Sequence, residues 1–244
     1  MAAGFRLRSL FVAPSKDRPS KDRAADDCFE RLVARSGDSA VLVTPELLSQ
    51  IAYGGNPREA VAVFDRPEGQ TIDRLVLKEN PLVIVMVGIE KPGNAGAIFR
   101  SADAVGADAV VLCGGGCDLF NPNLIRASLG TVFTMPCVES DEAQTISWVR
   151  RGGFSCMAAI VGAKQTFWEV DYCGPTAIVV GSEAQGLGPL WRDWDADSAS
   201  PAQTRGRLAA VSIPMLGVAD SLNVSVSAAA LLFEARRQRS LRGI

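Results

Sequence analysis

Every residue from Leu82 to Val87 is apolar, in a run that reads PLVIVMVGIE over 81–90. A strand with one face in water alternates apolar and polar residues, so a run without alternation must be covered on both faces. The run is too short to cross a membrane, which takes roughly 18 apolar residues or more. It fits the centre of a parallel sheet with helices on both faces, joined by strand–helix–strand crossovers.

The sequence after the run supplies those crossovers. KPGNAG reads as a loop, AIFRSADAVG as a helix and ADAVVLC as a strand. GGGCDLFNPN is a loop, LIRASLG a short helix, and DEAQTISWVRRGG a helix ended by glycine. FSCMAAIV and TAIVVG are strands, SEAQGLGPLW is a loop with a helix start, and LAAVSIP is the last strand before a long final helix. Upstream, strands are predicted at 8–12, 40–43 and 60–64, with helical spacing over 24–35 and a helix opening at Pro45, where proline suits the first turn. DRPEGQTIDRLVLKEN, with Pro, Gly and many charges, separates the two parts. The expected organisation is a small α/β domain over 1–66, a linker over 67–80 and an α/β domain with a mostly parallel sheet over 81–244.

The chain of 244 residues holds no histidine, which removes Ser-His and Cys-His nucleophile pairs and His-ligated metals. Proton transfer then falls to carboxylates, Lys, Arg, Tyr or the substrate itself. Cys113 and Cys117 frame Cys-Gly-Gly-Gly-Cys, but no second pair at ligand spacing accompanies them, so no metal is expected. Six scattered cysteines in apolar contexts and the lack of an export signal predict reduced, buried thiols in a cytoplasmic protein with no membrane span. With a net charge of −2, the whole chain is not an obvious polyanion binder. Basic residues do gather near the start (Arg6, Arg8, Lys16, Arg18, Lys21, Arg23) and at the end (Arg236, Arg237, Arg239, Arg242), where local patches can attract phosphate. No Gly-Lys-Ser/Thr occurs and CGGGC is not followed by a helix, so nucleotide loops of the common kinds are absent.

Ligands of open parallel sheets bind beyond the carboxyl ends of the strands. Three strand ends carry loops that combine Gly or Pro with a few polar residues: IEKPGNAGAIFR, GSEAQGLG and PMLGVADSLN. Glycine lets a ligand approach the backbone.

KPGNAGAIFRSADAVGAD, IVVGSEAQGLGPLW and IPMLGVADSLNVSVSAAALLFEARRQR, with NPNLIRASLGTVFTMP between the first two, resemble the motifs of the SPOUT-class TrmH-like RNA 2′-O-ribose methyltransferases, in the family's order over most of 82–239. The resemblance implies an α/β-knot fold with a deep C-terminal trefoil knot, S-adenosylmethionine as methyl donor, a homodimer and an RNA substrate. Ribosomal RNA is the first choice and tRNA the second. It also implies that the front α/β domain is a substrate-RNA-binding domain. Members with such a domain carry a helix before the first strand, so this chain would be shortened at its start. By residue-wise match, Asn94, Arg100, Glu183, Asn223 and Ser225 would form the catalytic set, with Arg100 stabilising the developing alkoxide. Gly181, Ile213 and Leu222 would contact the cofactor through their backbones, and Met215 and Ser221 complete that set. Ser221 also reads as the N-cap of the last helix.

Three positions depart from the family pattern. Lys91 stands where Asn or Asp is common, Ser182 where Asn is frequent and Asp220 where Glu is frequent. The alternatives to a ribose methyltransferase are a silent RNA-binding protein of the same fold and an RNA base methyltransferase.

Overall fold

The computed structural model describes residues 5–13, 30–31, 33–54, 60–183, 185–192 and 208–244. Two compact units divide the chain, Met1–Glu68 and Gly69–Ile244.

The first unit is built on β1 (Leu7–Val12), which pairs in parallel with β2 (Ala40–Leu42) and antiparallel with β3 (Ala60–Phe64). Leu10 and Val12 of β1 are buried, together with Leu48 of α1 (Pro45–Ile51). Thr44 caps α1 by accepting from Leu47 N at 3.3 Å, and Pro45 takes the first helical position. Of the helix expected over 24–35, residues 24–29 and 32 lie outside the described residues, while 30–31 and 33–36 are helical. Lys16, Arg18, Lys21 and Arg23 lie outside them as well. Arg6 and Arg8 both pair with Asp65.

In the second unit, the stretch read as a linker packs against the core at Ile72, and in part at Leu75 and Leu77. Ile72 is 4% exposed among Val83, Val85 and Trp148, and Arg151 Nη2 meets Asp73 Oδ1 at 2.7 Å. The elements that follow are β4 (Leu82–Val87), α2 (Pro92–Ala104), β5 (Ala109–Cys113), α3 (Pro122–Ala127), β6 (Cys137–Ser140), α4 (Glu142–Arg151), β7 (Ser155–Ala159), β8 (Gln165–Thr166), β9 (Thr176–Val180), α5 (Pro189–Arg192), β10 (Leu208–Ser212) and α6 (Val224–Leu241). Their strands form one seven-stranded sheet in the order β6-β5-β4-β9-β7-β10-β8, parallel at every described ladder. All six residues of β4 are buried, as the unbroken apolar run demands. Leu82, Ile84 and Met86 face a core shared with Ile98 and Phe99 of α2 and with Leu231 and Leu232 of α6. Val83, Val85 and Val87 face the opposite core, with Trp148 and Val149 of α4 and Trp191 of α5.

Two local readings change. The first glycine-rich loop is helical: α2 starts at Pro92, and Gly96 lies inside it. A Cβ on Gly96 would come within 2.5 Å of Leu124 O and 2.6 Å of Ala127 Cβ, so glycine there permits the close crossing of α2 and α3. β6 and β8 carry no strand signal in sequence. β6 is an edge strand with one fully buried residue, Val138, and β8 has two residues.

The C-terminal arginines serve the fold. Arg239 is 3% exposed. Its guanidinium donates to the carbonyls of Tyr172 (2.9 Å), Asn80 (2.6 Å), Pro81 (3.2 Å) and Gly174 (2.7 Å). These carbonyls precede β4 and β9, so the end of α6 is fastened to the amino edge of the two central strands. Burial holds the pKa of Arg239 below its ordinary value, but a guanidinium remains charged in proteins. Arg236 Nε donates to Val105 O at 2.6 Å, Arg237 pairs with Glu234 at 2.7 Å, and Arg242 meets Asp171 at 3.4 Å. The basic cluster expected to attract phosphate is thus engaged within the unit. Arg239→Ala leaves several buried carbonyls without a donor and is expected to lower the unfolding free energy by about 3 kcal/mol or more. Urea denaturation checks this, with Arg239→Lys recovering only part of the loss because it lacks the planar fork.

Candidate active site

The carboxyl ends of β4, β9 and β10 lead into the three loops singled out in the sequence, and the structure brings the loops together on one side chain. Glu183, in the loop after β9, accepts at Oε1 from Asn94 Nδ2 and, at 3.3 Å, from Asn223 Nδ2. Its Oε2 pairs with Lys91 Nζ at 2.5 Å. Asn223 Nδ2 also donates to Asn94 Oδ1 at 3.2 Å. One carboxylate therefore joins the start of α2, the loop after β9 and the start of α6.

Local structure explains each placement. Lys91 is the N-cap residue of α2, so Asn94 sits in the first turn, facing the strand ends. The loop after β9 closes on itself: Gly186 N donates to Ser182 O at 2.8 Å, and Gln185 N donates to Ser182 Oγ at 3.0 Å. The serine at that departure position closes its own turn. Gly181 must be glycine, because a Cβ would lie 2.4 Å from Gly186 C and O. The N-cap of α6 is Asn223, not Ser221 as expected. The Asn223 Oδ1 accepts from Ser225 N at 2.9 Å and from Ser225 Oγ at 2.7 Å, and residues 220–223 precede the helix. Asn223 thus uses its oxygen for the helix and its nitrogen for the site, with Ser225 attached to it.

Three adjoining cavities surround this cluster. The largest, of about 670 Å³, is lined by Gly181, Ser182, Glu183, Ser221, Leu222 and Asn223, among others. A second, of about 270 Å³, shares Ser221 and Leu222 and adds Ile213, Met215 and Asp220. The third, of about 330 Å³, lies on the other side of Glu183, with Lys91, Asn94 and Val224 in its wall. All five residues expected to hold the cofactor line the first two. The β7–β9 ladder stops at Ala158↔Val179, and the Gly181 N–H beyond it takes no partner among the described residues.

Arg100 is not brought into this cluster. Because α2 begins at Pro92, Arg100 lies more than two turns into the helix, about 12 Å from its start. With KPGNAG read as a loop and the helix opening at Ala97, Arg100 would stand only about one turn from the helix start. Arg100 is exposed, with no hydrogen bond or ion pair among the described residues, and it lines none of the three cavities. Sequence reasoning missed two contributions. One is the ion pair of Lys91, noted there only as a departure. The other is the end of β7, since Ala159, Ile160 and Val161 line both the first and the second of these cavities. The signal for the latter was a fourth strand, FSCMAAIV, ending in Gly at the same sheet edge.

Among the described residues, the thiols are not poised as nucleophiles. Burial pushes Cys113 and Cys137 up to about 11 and raises Cys117 and Cys156 as well. Among the described residues no group of three or more Cys, Asp or Glu side chains is placed to hold a metal ion, and no helix is long and apolar enough to cross a membrane.

The strand-end loops of a parallel α/β sheet thus enclose three adjoining cavities around a carboxylate and two amides, a site of the kind that open α/β sheets use for ligands. Residues 81–233 match the SpoU rRNA Methylase family, and the chain belongs to that family. It is 32% identical over 209 residues to the 23S rRNA (uridine(2479)-2′-O)-methyltransferase of Streptomyces viridochromogenes, covering 82% of this chain and 67% of that protein. A crystal structure of an RNA 2′-O ribose methyltransferase superposes with a TM-score of 0.75 at 36% identity, covering 98% of this chain and 84% of that one. The SpoU methyltransferase AviRb from Streptomyces viridochromogenes, solved in complex with the cofactor AdoMet, gives a TM-score of 0.77 at 29% identity, covering 98% and 86%.

Proposed function

We propose that the protein is an S-adenosylmethionine-dependent methyltransferase acting on a ribose 2′-hydroxyl of ribosomal RNA, with tRNA the second choice. The observation that carries this is the Glu183–Asn94–Asn223 cluster, which adjoins both the cavities lined by the expected cofactor residues and a third one lined by Lys91 and Asn94. The Gly181 N–H at the end of the β7–β9 ladder, without a partner among the described residues, suits a ligand with hydrogen-bonding edges, and the apolar walls at Ile213, Met215 and Leu222 suit a purine and a methionyl chain. Gly181, Ile213 and Leu222 would hold the cofactor by backbone groups, with Met215 and Ser221 alongside. When bound, S-adenosylmethionine supplies an electrophilic methyl on a sulfonium sulfur.

The protein's own work is to present the ribose oxygen in line and to stabilise charge on it. Asn94 is fixed by Glu183, and the remaining proton on its amide nitrogen is available to orient the ribose. Asn223 lines the largest cavity, and Ser225, which lines none of the three, holds its amide oxygen. Arg100 is assigned the stabilisation of the developing alkoxide. Its exposed position on α2, outside the cavities of its own protomer, fits a site completed where two copies meet. The homodimer belongs to this proposal. What supports it is the apolar surface left uncovered on α6 and the loop before it, where Val226 and Phe233 are half-exposed and Leu216 and Val218 are fully exposed. The deep trefoil knot belongs to it too. Its support is the insertion of β9 between β4 and β7 and of β10 between β7 and β8, which sets late strands inside the sheet. The first unit, over 1–66, is assigned to substrate RNA, and the protein to the cytoplasm.

Incubation with methyl-labelled S-adenosylmethionine and 23S rRNA, then nuclease digestion and mass analysis, tests the assignment. The label is expected on the ribose of one nucleotide. Label on a base, or none on any RNA, overturns it. In single-turnover assays Arg100→Ala is expected to slow transfer by about 100-fold or more, the usual cost of losing one preorganised charge stabiliser, with cofactor affinity unchanged.

A further inference from the structure

The cavity of about 330 Å³ beside Asn94 has few hydrogen-bond donors left for a ligand. Glu183 is engaged at both oxygens. Asn223 spends both amide protons, on Glu183 and on Asn94 Oδ1, and its own oxygen accepts twice from Ser225. An amide nitrogen carries two protons and an ammonium three. Among the polar side chains lining the cavity, the donors that remain are one proton on Asn94, two on Lys91 and the hydroxyl of Ser182, whose oxygen accepts from Gln185 N.

Charge makes the same point. Of the described residues lining this cavity, Lys91 alone is cationic, and it faces Glu90 and Glu183. With Lys91 removed, the wall would hold two carboxylates and no cation, a repulsive surface for a polyanion. The Lys91 side chain is 72% exposed against 30% for Glu183. An ion pair so solvated is weakly held, and the flexible four-carbon stem lets the ammonium swing from the carboxylate to an anion arriving from solvent.

We propose that Lys91 receives the phosphodiester next to the target ribose, and that its pairing with Glu183 is the state of the empty cavity. Lys91 is then a substrate-binding residue peculiar to the sequence at this position, not part of the cofactor site. The inference rests on reading this cavity as the acceptor site of an RNA methyltransferase.

The test is equilibrium binding of a 23S rRNA transcript over a salt series, alongside steady-state methyl transfer. Lys91→Met is expected to weaken RNA binding about tenfold at low salt, as for loss of one hydrogen bond to a charged group. The slope of log Kd against log salt should fall by about 0.7 to 0.9, the share of one phosphate. Affinity for S-adenosylmethionine should stay near wild type, KM for RNA should rise by more than kcat falls, and Lys91→Arg should keep the slope. In Lys91→Met/Glu183→Gln the slope should stay reduced, because the phosphate contact is still missing. A wild-type slope in that double variant would make neutralising Glu183 the whole role of Lys91 and overturn the proposal. A fall in kcat with binding and slope unchanged would do the same, making Lys91 a positioning residue that acts through Glu183. Failure of the wild-type protein to methylate any RNA would instead overturn the reading on which the inference rests.

Discussion

Glu183 is the point at which three separate stretches of chain become one site. Its carboxylate accepts from Asn94 and Asn223 and pairs with Lys91. A carboxylate can take several donors at once, so it fixes amides from two helices without a metal or a histidine, and this chain has no histidine to use. The arrangement depends on α6, which is held at both ends. Asn223 caps its start and enters the site, while Arg239 is buried near its end among carbonyls of Asn80, Pro81, Tyr172 and Gly174. Between them Val224, Ala228, Leu231, Leu232 and Ala235 bury the helix against the sheet and α2. Strain or loosening at Arg239 would therefore reach the site through a packed helix.

The cavities divide by chemistry. Those on the far side of Glu183 offer backbone edges and apolar walls, suited to an uncharged or zwitterionic ligand. The one on the Lys91 side offers an ammonium and an amide, suited to a ribose-phosphate. Of the described thiols, Cys113 and Cys137 are raised by burial to about 11 and stay protonated at neutral pH.

Much of the fold was legible because burial leaves a strong mark on sequence. The run Leu82–Val87 announced a doubly covered strand, and its alternate residues do face two different cores. The loops after β9 and β10 were visible as glycine and polar residues at strand ends. What failed was local. GNAG looked like a loop because glycine is costly within helices, yet Gly96 is needed where α3 crosses α2. Ser221 looked like a cap, but Asn223 accepts from both Ser225 groups and takes that position. The distance of Arg100 from the cluster follows from the same error, since a helix starting at Pro92 carries it more than two turns away. The ion pair between Lys91 and Glu183 joins residues far apart in sequence, and no periodicity encodes such a pair.

If Glu183 and Asn94 act as one unit, their removal cannot be additive. Single-turnover methyl transfer in a double-mutant cycle of Asn94→Ala and Glu183→Ala measures this directly. The double variant is expected to be about as slow as the slower single variant, because either change already frees Asn94 or Asn223 from its place. Losses that multiply would mean that the two side chains contribute independently, and would contradict the account of Glu183 as the residue that assembles the site.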